Sequence, residues 1–357
     1  MKRVLQLVIV AIVIGLLCLY ISHKFTAKDK SKSGEKINVY NWGEYIDPAL
    51  IKKFEKETGI KVVYETFDSN EAMEAKIRNG GTNYDVAFPS EYTVQKMKRQ
   101  NLLLPLDHKK IPNMKNLDSN YLDMPFDRNN KYSVPYFFGT VGIVYNKKVY
   151  PHDDFSSWQS LYKKKYANDI LLVDGAREIM GLSLNKLGYS LNDKNPQHLN
   201  EAQQDLTHLA PQIKGVVGDE ITMMLEQHEA NIAVVWSGVA APIVQDSNEF
   251  DYVVPKEGSN LWFDNMVIPK TAQNKEGAYK FMNFLLNERN NKQNTEWVGY
   301  ATPNKAARNK LPDDIKNDKR FYPSKKEQHR LEVYQDLGKK TLSDYNERFL
   351  NFKMSLK

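Results

Sequence analysis

Between residues 36 and 89 the chain alternates short β-branched or aromatic runs with helix-spaced apolar ones, and this alternation restricts the fold more than any other feature of the sequence. Residues 36–40 (KINVY) place apolar side chains at every second position, as a half-buried strand requires. Asp47-Pro48 then supplies a helix N-cap and a proline for the first turn; Leu50, Ile51 and Phe54 recur at helical spacing until Gly59 stops the helix. Residues 60–67 read as a second strand. Asp68 and Glu71 are spaced as a cap pair for the next helix, Gly80-Gly81 ends it, and residues 85–89 form a third strand. A β-α-β-α-β order implies parallel strands joined by right-handed crossovers. Further strands are predicted at 142–145, 170–173, 231–236, 252–254 and 262–268, with helices over 178–187, 196–209, 276–286 and 334–352. This is enough for two α/β lobes of about 110 to 170 residues each.

The N-terminus gives an address. Lys2-Arg3 precede an apolar run from Val4 to Ile21 whose one polar side chain is Gln6. At about 1.5 Å per residue such a run spans roughly 27 Å, close to the thickness of a bilayer core. Positive charge ahead of it places residues 1–3 in the cytoplasm, 4–22 in the membrane and the body outside, tethered to the outer face of the cell membrane. The sole cysteine, Cys18, lies inside the run after Leu17, where a lipid-modified cysteine favours a small residue before it; an uncleaved signal anchor is preferred to a lipoprotein. Residues 23–36 are polar and aperiodic, as in a flexible stalk. With no other cysteine the body has no disulfide.

Charge is uneven along the chain. Of the net +6, residues 1–36 carry +5 through seven Lys/Arg against Asp29 and Glu35, which leaves the body near +1. A near-neutral body without a basic patch argues against a nucleic-acid partner.

Several predicted strands end in a carboxylate beside a large ring. Asn41-Trp42-Gly43-Glu44-Tyr45 follows the first strand, Ser90-Glu91-Tyr92 the third, and Asp174-Gly175-Ala176-Arg177-Glu178 the run at 170–173; Trp236-Ser237 and Trp262-Phe263-Asp264 complete the set. In open α/β sheets ligands bind beyond the carboxyl ends of strands. An organic ammonium needs an anion for its charge, an aromatic face for cation–π attraction and apolar walls for its methylenes. A ligand with two or three separated ammonium groups engages all of these at once. Against this, a single ring after a strand more often packs in a core than walls a ligand, and Glu178 is equally suited to capping its helix while Arg177 pairs with a neighbour.

Catalytic signatures are missing: no GxGxxG, GxxxxGK, HExxH or GxSxG occurs, and the seven histidines are scattered. The sequence thus points to neither a cofactor nor a metal. Paired carboxylates such as Glu44 and Asp264 leave a surface hydrolase as an alternative. A sensor or adhesin, and a binder of another cationic metabolite such as thiamine or an amino acid, are the others.

The run VYNWGEYIDPALIKKFEKETGIKVVYETFDSNEAM resembles the opening of the spermidine/putrescine-binding proteins of bacterial ABC transporters. The likeness continues through YDVAFPSEYTVQKM, YSVPYFFGTVGIVYN, LLVDGAREIMGLSLNKLGYS, LWFDNMVIPK and VGYATPN, covering nearly all of residues 37–350. It looks like the membrane-anchored form of Gram-positive bacteria. The resemblance implies a periplasmic-binding-protein-like α/β fold of type II, with a ligand cleft between two lobes: 37–141 with 266–305, and 142–265 with 306–357. The lobes are joined by strand crossovers near 140–144 and 265–268. It implies a monomeric, non-enzymatic binding component that hands a polyamine to permease subunits driven by a cytoplasmic ATPase. Carried over position by position, it makes Trp42 and Tyr45 walls and Glu44 an acid facing the ligand. Ser90 and Tyr92 follow the third strand, Glu178 pairs with an amine, and Trp236 and Trp262 sandwich the methylene chain. Asp264 holds an ammonium and Tyr300 is a further wall. The chain departs from some relatives at Gly43 (Thr) and Gly175 (Asp), and a C-terminal Gln of some members aligns with Tyr334 or Gln335.

Overall fold

The computed structural model describes residues 35–356 except Asp219; the expected membrane segment at 4–22 and nearly all of the stalk lie outside the described residues. Strand β1 (Lys36–Trp42) leads to helix α1 (Pro48–Thr58), where the Asp47 side chain accepts from the Ala49 N–H and Gly59, at φ 72°, closes the last turn as the sequence predicts. Strands β2 (Lys61–Phe67) and β3 (Val86–Ala87) flank β1, both parallel to it. Helix α2 (Asn70–Asn79) corrects one expectation, because its cap is Ser69 and not Asp68. Ser69 has extended backbone and its hydroxyl accepts from the Ala72 N–H, so the capping register falls one residue later.

The sheet is organised around β4 (Ser133–Asn146), a strand of 14 residues, twelve of them consecutively buried from its first residue. From Ser133 to Thr140 it pairs antiparallel with β9 (Ser259–Val267); from Val141 to Tyr145 it pairs antiparallel with β7 (Ile232–Trp236), and from Ile143 onward with β8 (Phe250–Val253). The first ladder runs β2-β1-β3-β9-β4 and the second β4-β7-β5-β6, with β5 (Ile170–Val173) and β6 (Ile213–Val217) parallel neighbours. One strand therefore serves both lobes, and β9, late in sequence, is inserted between β3 and β4. The sequence reading places only residues 142–145 of β4 in a strand and omits β6, whose Lys214-Gly215 interrupts its apolar pattern.

Helix α3 (Glu91–Arg99) packs on the first ladder, and α4 (Ala176–Lys186) and α5 (Pro196–Leu209) belong to the second lobe. After the short α6 (Ile221–Glu226), α7 (Ser237–Asp246) starts at the end of β7; α8 (Lys275–Leu285) and α9 (Glu288–Val298) return to the first lobe. The last helix, α10 (Lys339–Ser355), packs on α4 and α5. It begins five residues later than expected, since β10 (Leu331–Glu332) and a non-helical segment ending at Gly338, φ 78°, precede it. Among the described residues no helix is long and apolar enough to cross a membrane.

Candidate functional site

Asp264 is the centre of the site. It sits on β9 and is 7% exposed, and an isolated bridge sets it opposite Ser90, at the end of the loop leaving β3. The Tyr45 hydroxyl donates to Asp264 Oδ2 at 2.6 Å and the Ser90 hydroxyl to Oδ1 at 2.7 Å. Behind them, Asn70 Nδ2 lies 3.0 Å from both Ser90 Oγ and Tyr92 Oη, while Asn70 Oδ1 accepts the Ser90 N–H at 3.0 Å. Burial pushes the Asp264 carboxyl up to about 6, and the two hydroxyl donors pull against it by favouring the charged form. Each oxygen has accepted one hydrogen bond, so the second lone pair of each remains for a donor arriving from the cleft.

Rings enclose this carboxylate. Tyr300 packs edge-on against Tyr45 (centroids 5.3 Å apart) and Trp262 (5.6 Å), and Trp262 Nε1 donates to Thr140 O at 3.3 Å, where β4 passes from one ladder to the other. Two glycines make room for these rings. A Cβ on Gly139 would lie 2.4 Å from the Trp262 ring, and one on Gly238 would lie 2.0 Å from the Tyr300 ring. Gly238 follows Trp236-Ser237 at the start of α7, so the end of β7 is brought directly against the Trp262 and Tyr300 walls.

Glu178, in the first turn of α4, is the second-lobe acid. Its carboxyl is pushed up by burial; its own backbone N–H, the Arg177 charge and the Trp236 side chain pull it back, so Glu178 and Trp236 meet as the sequence spacing alone does not show. Arg177 donates to the backbone oxygens of Gln335 and Leu191 and to Asn192 Oδ1, and lies 4.1 Å over the Tyr334 ring. Trp42 is half-buried, its Nε1 donating to Phe88 O at 3.0 Å and its ring against Phe67. Glu44 is exposed and holds a left-handed backbone, φ 49°, uncommon for a residue with a side chain and a mark of local strain.

Sequence reasoning missed two participants and left a third open between neighbours. Asn70 couples Ser90 to Tyr92 and carries no local signal, being a helix's first residue 20 positions away. Glu91, quoted in a cluster but given no role, is fully buried. Its Oε2 accepts the Phe263 N–H at 2.9 Å, fixing the strand between Trp262 and Asp264, and burial pushes its carboxyl up to about 8. Tyr334, and not the exposed Gln335, reaches the interior, its ring 6.4 Å from that of Tyr92.

Two ladders sharing a strand, with a carboxylate ringed by aromatics where they meet, define a solute-binding protein. The chain belongs to the bacterial extracellular solute-binding proteins, the family it matches over residues 49–323. It is 40% identical over 309 residues to a spermidine/putrescine-binding periplasmic protein of Salmonella typhimurium, covering 86% of this chain and 89% of that protein. Among solved structures it resembles a spermidine/putrescine ABC transporter substrate-binding protein of Streptococcus pneumoniae (50% identity, TM-score 0.82, covering 90% of this chain and all of that one). It also resembles a candidate spermidine/putrescine ABC transporter of Listeria monocytogenes (56% identity, TM-score 0.85, 90% and 99% coverage). The periplasmic-binding-protein-like fold read from the sequence is therefore the observed one, with type II solute-binding proteins as its neighbours.

Proposed function

We propose that the protein is the extracellular binding component of a polyamine ABC importer, capturing spermidine or putrescine between its lobes and passing it to permease subunits. The observation that carries this is the Asp264 carboxylate, nearly buried yet with an open lone pair on each oxygen, set among Tyr45, Trp262 and Tyr300. An anion is repelled by such a site and a neutral solute leaves its charge unmatched, whereas an ammonium gains a charge-assisted hydrogen bond and cation–π contact together. Glu178 beside Trp236 supplies a second acid-and-ring pair for a second ammonium, and the names of the relatives point to the same ligands.

In this reading Trp42, Glu44, Tyr45, Ser90, Tyr92, Glu178, Trp236, Trp262, Asp264 and Tyr300 contact the ligand, and the protein binds without turnover. The lobes are 37–141 with 266–305 and 142–265 with 306–357, and the boundary near 265 falls within β9, whose residues from Leu261 onward pair with β4 in the first ladder. The body is a monomer held at the outer face of the membrane by residues 4–22, as an uncleaved anchor or through Cys18. Calorimetry with spermidine, putrescine and a monoamine tests it. One-to-one binding of a polyamine, absent for the monoamine and lost in Asp264→Ala, is expected; no heat and no thermal stabilisation with either polyamine refutes it.

A further inference from the structure

Residues 333–337, between β10 and α10, run beside the site as a strap that touches both lobes. On the second lobe it is tied through its backbone. Asn192 Nδ2 donates to Val333 O (3.0 Å), the Gln335 N–H to Asn192 Oδ1 (2.7 Å) and Arg177 to Gln335 O (3.2 Å), while the Arg177 guanidinium stacks on Tyr334. On the first lobe three contacts come from one stripe of α3. The Tyr92 ring meets Tyr334, Gln95 Oε1 accepts the Asp336 N–H at 2.7 Å, and Arg99 Nη2 lies 2.5 Å from Asp336 Oδ2. Positions 92, 95 and 99 fall on one helical face, so all three contacts form or break together as α3 moves relative to the strap.

The two attachments differ in kind. Asn192 and Arg177 satisfy strap backbone groups within a single lobe. The α3 contacts cross from one lobe to the other, so separating the lobes breaks them. Asp336 is 9% exposed and its other oxygen accepts the Gly338 N–H at 2.9 Å, which fixes the carboxylate at the head of α10 and aims it at Arg99. Arg99 is itself 61% exposed, free to rotate into solvent when the lobes open.

We infer that Asp336 and Arg99 are positioning residues for ligand capture: their ion pair, with the Gln95 bond, latches the closed lobes over the bound cation without touching it. The inference rests on the proposed capture of a polyamine between lobes. A contact present in one state only shifts the balance between states, and one that forms after encounter acts on release and not on association.

The test is stopped-flow or surface-based kinetics of spermidine and putrescine on the full chain with Arg99→Gln, Asp336→Asn and the double variant. Because Arg99 is exposed, the expected effect is modest: dissociation about three- to tenfold faster, with an unchanged association rate. The double variant should match either single one, since both remove one pair. Arg99→Lys should restore most of the slow release, and high salt should speed release in wild type but not in Arg99→Gln. A general loss of packing would not give this combination. If Asp336→Asn fails to fold, Arg99→Gln on its exposed face still decides the matter. Release from Arg99→Gln as slow as from wild type overturns the latch alone; a wild-type protein that binds neither polyamine overturns both readings.

Discussion

Tyr45 donates its hydroxyl to Asp264 across 219 residues of sequence, at 2.6 Å, and thereby joins the loop after the first strand to the ninth. Burial and the neighbouring Asp264 charge both raise the Tyr45 pKa well above its ordinary value, so this hydroxyl is a donor at every physiological pH. The bond spends the tyrosine's proton on one lone pair and turns the other toward the cleft. Replacing Asp264 by Asn keeps the shape and removes the charge. A charge-assisted bond contributes about 1.5 to 3 kcal/mol, so the polyamine Kd should rise roughly 10- to 100-fold by calorimetry. A change under threefold contradicts the central role of this acid.

Polyamine affinity should fall on the acid side. Asp264 must be ionised to hold an ammonium and its pKa stands at about 6, so binding is full well above that pH and is lost as pH falls through it, about tenfold per unit below. Glu178, also raised, titrates in the same direction. Tyr45→Phe removes a donor that favours the ionised form and should move the midpoint upward. A Kd series from pH 8 to 4.5 reads both effects, and a flat wild-type profile would contradict them.

Glu91 should mark stability in the opposite sense. Its folded pKa, about 8, lies above the ordinary 4.5, so the folded state binds the proton more tightly. The stability it contributes is full below about 4.5 and lost as pH rises through about 8. Glu91→Gln keeps an acceptor for the Phe263 N–H without titrating. Its melting temperature minus that of the ligand-free wild type should therefore climb between pH 5 and 9; a constant difference counts against a buried, titrating Glu91.

Gly238 and Gly43 offer a paired comparison. An added methyl at Gly238 meets the Tyr300 ring at 2.0 Å, whereas at Gly43 it meets nothing within 4 Å. Gly238→Ala should lose about 1 to 3 kcal/mol of stability and weaken polyamine binding, while Gly43→Ala should leave stability nearly unchanged in a urea titration. Equal tolerance of both would show that the Tyr300 wall is not packed against α7.

Some of this was legible in the chain because its causes are local. Asp47, Pro48 and Gly59 bound their helix through bonds two to four residues long, and the alternation of residues 36–89 gives the parallel core of the first lobe. Ser69 displaces Asp68 as cap by one residue, a choice set by backbone angles that composition does not encode. The site is different, for its bonds span 20 residues (Asn70 to Ser90), 174 (Ser90 to Asp264) and 172 (Glu91 to Phe263). No periodicity reports such distances. The pattern of acid beside ring marked Asp264, Glu178 and the Ser90-Glu91-Tyr92 cluster, family resemblance added Tyr300 and pointed to Tyr334 or Gln335, and neither reached Asn70 or the role of Glu91, where polar residues matter only through what folds against them.

The place of β9 between β3 and β4 has a bearing on how the chain is made. Until residues beyond 259 have emerged, the two earlier strands have no partner to share, and each presents an open edge. Early lengths of the polypeptide therefore cannot complete the first lobe, whose two open edges wait for most of the chain. A chain truncated near residue 258 should aggregate instead of forming a half-size domain, and assembly of the whole should be slow, governed by a late insertion joining ends far apart in sequence.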